Sequence, residues 1–551
     1  MSNSEAIVDN DELAQEYEKA ADEQTVSKEE TAEEKTGRRI SWSAIRTWLT
    51  SYAFFVYASQ ALSSWGDRMW SFAVGLYLVE IDGSLRLTAI YGFSLTASVL
   101  IFGAVVGRWV DRTSRLRAIQ ISLFLQNSFV AINAAAMCVL VVKRDELPTW
   151  VYAILAVAII CLGVCAKLTS IAEKICVQKD WIVVIAGEDK EYMAGLNASV
   201  RRIDLLTNIL APIVVGQIMT FASLVAAGVF ISAWNVISMF VEYILLYNIY
   251  ISVPALAEKK KSESGTAQAE SLETDPVAPT DQSPKVRWNP VAVVVNWLQT
   301  TYDGLKIYKS YDIFWGAFGL ACLYMTVMGF DSVTTGYGYA LGVPEYMLGI
   351  FRALGSLAGI LGTVMFTFLR KRIGIVRSGL YCLAIQITML SLCIASIFVP
   401  GSPFDARFVH TKSITANVTE CLVTDRENVE SHWSAGLFFG GMILSRIGLW
   451  AFDLVLSQQI QESVEEHHRG IFNGIQSSLQ SSFDMIHFIL VIGLPCPESF
   501  GYLIFASYLF VCLGAAMYAR FSYKKRGHIL PHHLKECVSG DGTCRVRLRG
   551  H

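Results

Sequence analysis

Several ionisable side chains lie inside long apolar runs of this sequence, and their types suggest cation chemistry. Asp67 lies in SSWGDRMWSFAVGLYLV, with Ser71 one helical turn later. His487 lies in FDMIHFILVI, three residues after Asp484 and therefore on the same helix face. A carboxylate beside an imidazole suits a borderline metal such as Fe2+, Co2+ or Zn2+, and it also suits a proton relay. A histidine in an apolar helix can also act only as a hydrogen-bonding group, so three roles for His487 stay open.

A second set of polar residues offers oxygen ligands. Asn235 and Glu242 are seven residues apart, two turns along one helix face, and Gln126 and Asn127 lie in the middle of another apolar run. Amide and carboxylate oxygens with net negative charge suit a hard cation such as Ca2+. Asp67, Gln126, Asn235 and Glu242 therefore form a candidate calcium set, and hydrogen bonding between helices is the alternative.

The position of Asp67 has two interpretations. An ionised side chain at membrane depth costs about 2.5–3.5 kcal/mol on insertion scales unless it is paired or hydrated. Pairing with the adjacent Arg68 would be a structural explanation, but neighbouring residues on a helix do not face each other. We favour a water-filled cavity in which Asp67 binds a ligand.

The segment GFDSVTTGYGYALG (329–342) is unusual for a helix. It combines Asp331 and Ser332 with glycines and two β-branched threonines. Glycine is tolerated in membrane helices where neighbouring groups satisfy the backbone. A broken helix that lines a cavity is one interpretation, and close packing of small residues is the other.

Charged residues of both signs are dense at the helix ends that are predicted to face the cytosol. Salt bridges among them would close an inner mouth, whereas simple anchoring by positive charge is the alternative. Charges of both signs at matching depth favour a gate. The residues are Arg108, Asp111, Arg115, Asp180, Arg201, Arg202, Asp204 and Arg469.

The elements that must position these residues are membrane helices. The 551 residues are 53% hydrophobic and 17% charged, whereas a soluble protein carries about 25% charged residues. Apolar runs of roughly 20 residues match the hydrocarbon thickness of a bilayer. We predict twelve spans in an all-α polytopic membrane protein, at roughly 52–80, 87–109, 118–142, 149–171, 196–223, 226–251, 313–340, 346–369, 376–399, 434–460, 471–494 and 499–520.

Basic clusters predict the orientation of these spans. GRRISWSAIR precedes the first span, 107–117 and 369–377 are basic turns at matching places in the two halves, and YKKRGH follows the last span. The positive-inside rule places these clusters, and with them both termini, in the cytoplasm. The acidic N-terminal tail has no signal-peptide pattern and is typical of a disordered segment.

A polar Ser/Thr/Pro-rich segment, 255–288, divides the spans six and six and predicts a flexible linker. Two six-helix halves are the layout of the major facilitator fold, in which substrate binds between the halves. The turn at 107–117 is similar to a signature of that superfamily, through Gly107, Asp111, Arg112 and Arg115. The predicted parts are a disordered tail 1–48, a first lobe 49–252, a cytosolic linker 253–305, a second lobe 306–524 and a cytosolic tail 525–551.

The loop at about 400–432 falls outside the cell by parity and holds the glycosylation sequon Asn417-Val-Thr. The twelve cysteines show no disulfide framework. No H-E-x-x-H motif, nucleotide-binding loop or pair of catalytic aspartates on adjacent spans is present, so the sequence argues against an enzyme.

The spans closely resemble the ferroportin family of iron exporters. The resemblance rests on SSWGDRMWSFAV (63–74), KDWIVVIAGED (179–189), LNASVRRIDLLTNILAPIVVGQIMTF (196–221), WNVISMFVEY (234–243), YMTVMGFDSVTTGY (324–337) and RGIFNGIQSS (469–478), among others. It implies a plasma-membrane protein, monomeric, that exports Fe2+ and other divalent metals such as Co2+ or Zn2+ by alternating access with proton exchange. It implies no bound cofactor and no nucleic-acid partner, only metal substrate and lipid.

The resemblance also implies site residues. One metal site falls on Asp67 and Ser71, and a second falls on Ser332 and His487, with Asp331 and Asp484 available to complete its shell. A calcium site that promotes transport falls on Asp67, Gln126, Asn235 and Glu242. Inner-gate residues fall on Arg115, Asp180, Asn197 and Arg201, beside Asp111 and Arg469.

Three positions depart from the vertebrate pattern of the family. Ser71 stands where vertebrate members have His, Ser332 where they have Cys, and Leu205 where the family has Gln. A hydroxyl is a poorer ligand for a borderline metal than imidazole or thiolate. Loss of the Cys also argues against control by a hepcidin-type peptide and suggests a divergent, for example invertebrate, member.

Two alternatives to iron export remain from the sequence. One is a facilitator for another divalent metal or for an organic solute; the retained Asp67, His487 and calcium set argue against the organic solute. The other is a membrane receptor that has lost transport, which the loss of one strong ligand at each metal site favours.

Overall fold

The computed structural model describes residues 51–256, 299, 302–405 and 431–526. The predictions for the N-terminal tail, most of the linker, Asn417 and the C-terminal tail lie outside these residues. Residues 51–56 belong to a first compact unit that ends at Val56 and form the start of the first helix. All contacts discussed below lie within the second unit, Tyr57–His551.

The first half of the described chain is helical. Each long helix is dominated by apolar residues, as expected for segments that satisfy their backbone hydrogen bonds internally within a bilayer. The helices are α1 (Tyr52–Asp82), α2 (Arg86–Arg112), α3 (Arg115–Lys143), α4 (Thr149–Lys174), α5 (Ile182–Ala186), α6 (Lys190–Phe221) and α7 (Leu224–Ser252).

The second half has the same character. After a helical stretch at 302–310, the helices are α8 (Phe314–Cys322), α9 (Ser332–Ala340), α10 (Glu345–Ile373), α11 (Ile375–Ala395), α12 (Trp433–Ser463), α13 (Glu466–Gly493) and α14 (Phe500–Arg526). No strand occurs in the described ranges of either half.

Nine helical segments within the described residues are long and apolar enough to cross a membrane. The three predicted spans that do not reach this threshold are 52–80, 313–340 and 471–494. They are the ones that hold Asp67, Asp331 and His487. The segment 313–340 fails because it is divided into two helices that are too short, whereas 52–80 and 471–494 are continuous helices whose polar residues lower their hydropathy.

The predicted span at 313–340 is interrupted in the structure. Helix α8 ends at Cys322 and α9 begins at Ser332. Side chains bind the backbone groups that leave the helical pattern: the Val327 N–H donates to Ser507 Oγ at 2.9 Å, and the Val327 carbonyl accepts from Thr334 Oγ1. The Asp331 side chain caps α9 by accepting from the Thr334 N–H at 2.8 Å. The broken helix is therefore observed. The close packing of small residues is observed as well, because a Cβ on Gly336 or Gly338 would lie 2.6 Å from a neighbouring side chain.

Helix α4 extends further than the predicted span at 149–171. It passes through a π-helical segment, Ile175–Trp181, into α5, which ends at Gly187 with a positive φ of 58°. A π-helical turn rotates the residues that follow it relative to an α-helix, and such turns are frequent at functional sites. The extension keeps Glu173 and Lys174 within continuous helix.

The two halves touch closely at the helix ends that are predicted to face outside. A Cβ on Gly349 would lie 2.6 Å from the Pro212 carbonyl oxygen, and one on Gly216 would lie 2.7 Å from that of Glu345. Thr220 Oγ1 donates to Glu345 Oε2 at 2.8 Å. Glycine therefore permits backbone contact between α6 and α10 at this end.

Cys496 lies at the same predicted outer end, between α13 and α14, and it is disulfide-bonded. The cysteine spacing did not predict this bond. Because disulfides persist in oxidising compartments, the bond agrees with the predicted exposure of this end to the exterior.

Candidate functional site

A cavity of about 460 Å³ lies between the two halves and is lined by residues of both. The break between α8 and α9 positions the second-half residues, because a Cβ on Gly75 of α1 would lie 2.5 Å from the Ser332 carbonyl oxygen. The start of α9 thus rests against α1. The candidate ligands in the wall of the cavity are Asp67, Ser71, Asp331, Ser332 and Asp484.

Asp67 accepts three side-chain hydrogen bonds. Gln126 Nε2 donates to Oδ1 at 2.8 Å, while Ser170 Oγ and Lys174 Nζ donate to Oδ2 at 3.0 and 2.9 Å. Arg68 instead pairs with Asp204 at 2.7 Å. The alternative in which Asp67 pairs with its neighbour Arg68 is therefore wrong, as the directions of adjacent helical side chains predicted.

Ser71 is also engaged by groups of the chain. Its hydroxyl lies 3.1 Å from the Arg68 carbonyl oxygen, to which it donates, and it accepts from Arg352 Nη2 at 3.0 Å. Arg352 comes from α10 in the second half and is buried. A guanidinium therefore stands beside the hydroxyl that the sequence offered as a metal ligand.

The second-half candidates form a carboxylate–imidazole–carboxylate arrangement. His487 Nε2 lies 3.2 Å from Asp331 Oδ2, and Nδ1 lies 3.3 Å from Asp484 Oδ1. These separations are within ion-pair range, but neither nitrogen has a partner in hydrogen-bonding geometry within the part of the chain that the structure describes. Thr96 Oγ1 holds the other oxygen of Asp484 at 3.0 Å. His487 is 1% exposed, behind the two carboxylates that face the cavity.

This arrangement can exchange a proton or hold a cation between imidazole and carboxylate. The two carboxylates stand on opposite nitrogens of the ring, so they do not converge on one point. Among the described residues, Glu465, His467 and His468 form the only group of three His, Cys, Asp or Glu side chains whose ligand atoms lie within 4.8 Å of one another. That group is exposed at the start of α13, where the helix dipole disfavours a cation.

The oxygen set of the first half is partly assembled. Gln126 bonds Asp67 directly. Asn235 donates its Nδ2 to the Ile231 carbonyl of its own helix at 2.8 Å, and its Oδ1 faces Gly66, 3.2 Å from where a Cβ would be. Glu242 is fully buried, and neither carboxylate oxygen has a hydrogen-bond partner within the described residues.

Sequence analysis missed three charged residues at these sites: Glu173, Lys174 and Arg352. Glu173 and Lys174 come two and three residues beyond the end of the predicted span 149–171. The available signal was their spacing, since Lys174 follows Ser170 by one helical turn. Arg352 is an intramembrane cation in an otherwise apolar helix, which is itself a marker of function.

The predicted gate residues do not form one network. Arg115 Nε donates to both carboxylate oxygens of Asp180, at 3.0 and 2.9 Å, which joins α3 to the π-helical segment. Arg201 lies 3.4 Å from Asp204, and Arg469 Nε donates to the Val464 carbonyl at 3.0 Å. Ion pairs between described residues at this end each join residues of the same half.

Asp111 and Asn197 are exposed at this end. A second cavity of about 840 Å³ opens here between the halves, lined by Arg201, Leu205, Ser356 and Arg446 among others. The described chain is therefore closed at the predicted outer end and open toward the predicted inner end.

Comparisons with known proteins agree with the resemblance. A family model described as Ferroportin1 (FPN1) matches residues 50–511. Ferroportin of Mus musculus is 41% identical over 548 residues, which cover 90% of this chain and 95% of the relative. Ferroportin of Homo sapiens is 41% identical over 539 residues, which cover 88% and 94%.

The fold is shared with a solved structure as well. A bacterial homologue of the iron transporter ferroportin, solved in an inward-facing state, matches with a TM-score of 0.65 and 23% identity. The match covers 86% of this chain and 98% of the bacterial chain. At that identity the match shows the fold alone.

Proposed function

The chain belongs to the ferroportin family, and on that premise we propose that it exports ferrous iron from the cytosol by alternating access. It is a metal transporter of the membrane and not an enzyme. The proposed architecture is that of two six-helix lobes with the boundaries derived above, 49–252 and 306–524. Both termini are proposed to face the cytosol and the protein to act in the plasma membrane.

The observation that carries this proposal is the group Asp331, His487 and Asp484 at the cavity between the halves. Imidazole and carboxylate are ligands that Fe2+, Co2+ and Zn2+ share. A metal here takes one or two of the three side chains, with Ser332, backbone carbonyls or water as further donors. The same imidazole–carboxylate contacts suit the proposed proton exchange, because binding a metal displaces a proton from imidazole.

The arrangement of the two halves supports an inward-open state. Glycine contacts between α6 and α10 close the predicted outer end, and the 840 Å³ cavity opens at the other. We propose that the predicted gate forms when this cavity closes. Asp111, Arg115, Asp180, Asn197, Arg201 and Arg469 lie at that end and supply charges and donors for it.

The oxygen set of the first half supports stimulation by calcium. Within the described ranges, Glu242 presents two buried carboxylate oxygens without donors, and Gln126 Oε1 is a third buried oxygen without a partner. Orphaned buried oxygens of this kind fit a hard cation. Asp67 and Asn235 complete the proposed set. The first-half transition-metal site on Asp67 and Ser71 is proposed only for a state in which Lys174 and Arg352 have moved away.

Further parts of the proposal concern regulation and assembly. Ser332 argues against binding of a hepcidin-type peptide, Asn417 is the proposed glycosylation site, and the protein is proposed to be a monomer. A transport-deficient receptor is the second candidate function. The observation that favours it is the engagement of Ser71 by Arg352 in place of a strong metal ligand.

Metal flux into proteoliposomes tests the proposal. Co2+ or Fe2+ entry, followed by quenching of an entrapped dye, is expected for the wild type and is expected to fall at least tenfold in His487→Ala. The matched control is His467→Ala, an exposed histidine at the other end of α13, which should leave flux unchanged. Wild-type protein that moves no metal would refute export and favour the receptor alternative.

A further inference from the structure

The first half holds a buried acidic group that the transport site does not use. Glu242 is 0% exposed and has no donor to either carboxylate oxygen among the described residues. Ser238, one turn earlier, is the donor in reach, but its hydroxyl is directed at the Asn235 carbonyl oxygen, 3.4 Å away. A buried carboxylate without donors is costly unless a cation or a proton neutralises it.

Glu173 on α4 is the second carboxylate of this group. Glu173 is 6% exposed, its Oε1 accepts from Ser63 Oγ at 2.8 Å, and its Oε2 has no hydrogen-bond partner among the described residues. Ser63 lies one helical turn before Asp67 on α1, and Asn235, two turns before Glu242 on α7, has its Oδ1 beside Gly66 of the same part of α1. The acidic side chains of α4 and α7 thus approach the part of α1 that carries Asp67, where like charges repel unless a positive charge stands between them.

The atoms that could bind a cation at this place are all oxygens. Gln126 donates its Nε2 to Asp67, and its buried Oε1 has no partner among the residues that the structure describes. Asn235 donates its Nδ2 to a carbonyl of its own helix. Carboxylate and amide oxygens without nitrogen or sulfur select a hard cation. Ca2+ accepts six to eight such ligands in flexible geometry, whereas Mg2+ requires a near-ideal octahedron.

Lys174 places a competing positive charge beside this group. Its ammonium donates to Asp67 Oδ2 at 2.9 Å, and with Ser170 and Gln126 it brings the hydrogen bonds to that carboxylate to three. The Lys174 side chain is 45% exposed and lies in the wall of the cavity. It therefore has room to leave Asp67, and a cation that coordinates Oδ2 must displace one of the two donors on that oxygen.

We propose that Glu173 is a ligand of a hard divalent cation held with Glu242 in the first half, and that the Lys174 ammonium competes with this cation for Asp67. The inference deepens the proposed calcium stimulation and rests on it for its role in transport. Adjacent residues of one helix thus act in opposite directions: Glu173 raises the affinity for the cation, and Lys174 lowers it. In the state without the cation, Lys174 neutralises Asp67.

Calorimetric titration of the purified full-length protein with CaCl2 tests this inference without any flux measurement. Glu173→Gln is expected to weaken Ca2+ binding at least tenfold, because it removes one full charge while keeping the size of the side chain. Lys174→Met is expected to tighten binding about tenfold. Lys167→Met is the matched control, since Lys167 lines the same cavity but makes no hydrogen bond to Asp67, and it should change affinity less than threefold.

A second background separates competition from a general loss of positive charge. In the Asp67→Asn background, Lys174→Met should no longer raise the affinity for Ca2+, because the lysine has no carboxylate at position 67 to pair with. MgCl2 should bind more weakly than CaCl2 throughout. Elution as a single species on size exclusion confirms that each variant is folded, and Ser63→Ala provides an uncharged change that should weaken binding severalfold by freeing Glu173.

Three results would overturn the inference. The first is that wild-type protein does not bind Ca2+ at millimolar concentration. The second is that folded Glu173→Gln binds Ca2+ with unchanged affinity. The third is that Lys174→Met still raises the affinity for Ca2+ when Asp67 is replaced by Asn. Failure of the transport proposal is distinct from all three, since protein that binds Ca2+ but moves no metal refutes export and leaves this site in place.

Discussion

The cavity-facing polar side chains of the two halves have partners of different kinds. In the first half, Lys174 bonds Asp67 at 2.9 Å and Arg352 bonds Ser71 at 3.0 Å. In the second half, His487 stands between Asp331 and Asp484 at 3.2 and 3.3 Å. The partners of the first-half residues are an ammonium from the same half and a guanidinium from the second half, whereas the partner of the second-half carboxylates is an imidazole.

The partners therefore differ in their relation to a metal ion: some occupy a metal ligand, and others are themselves metal ligands. Ammonium and guanidinium are donors without an acceptor, so they occupy a ligand and exclude a cation from it. A neutral imidazole has a lone pair and is itself a metal ligand. The second half is therefore the better candidate for transition metal in this conformation, and the first half is suited to a cation that enters only when the internal cations leave.

The largest expected effect comes from rebuilding the first half as a metal site. Ser71→His combined with Arg352→Met supplies an imidazole and removes the guanidinium beside it. In a His487→Ala background, Co2+ should bind this variant about a hundredfold more tightly than Ser71→His alone, equivalent to about 2.8 kcal/mol. Calorimetry with CoCl2 measures it, and Arg352→Met alone is the control. Equal affinity with and without Arg352 would show that the guanidinium does not exclude metal.

A smaller effect is expected at the contact that holds the two halves together. Gly349→Ala would place a methyl group 2.6 Å from the Pro212 backbone oxygen and force α6 and α10 apart. Overpacking of this kind costs about 1–3 kcal/mol. Thermal unfolding in detergent should show a lower midpoint than for Gly440→Ala, where a Cβ meets nothing within 4 Å. Equal midpoints would mean that the contact adjusts without cost.

The smallest effect separates the two roles of Asp331, which caps α9 and faces His487. Asparagine is as good a cap as aspartate but carries no charge, whereas alanine loses both functions at about 0.5–2 kcal/mol. Asp331→Asn should leave the unfolding midpoint unchanged and weaken Co2+ binding. Asp331→Ala should both lower the midpoint and weaken Co2+ binding. A drop in midpoint for the asparagine variant would assign the stabilisation to charge instead of capping.

Much of the fold was predictable because the hydropathy of a segment depends only on its own consecutive residues. Runs of about twenty apolar residues predicted twelve spans, and nine of these match helices within the described residues that meet the length and composition of a membrane span. The break near Asp331 was one of two interpretations of its glycine-rich segment. The resemblance to the ferroportin family, carried by motifs along most spans, is confirmed. Contiguous patterns of this kind do not require knowledge of which helices are neighbours.

The sequence by itself determined the membrane class, the family and the residue types available for cation chemistry. Only the tertiary structure decided their partners. Lys174 meets Asp67 from 107 positions away, and Arg352 meets Ser71 from 281 positions away. The physical reason is that hydropathy depends on each segment alone, whereas the partner of a charge depends on packing between helices that are distant in the chain.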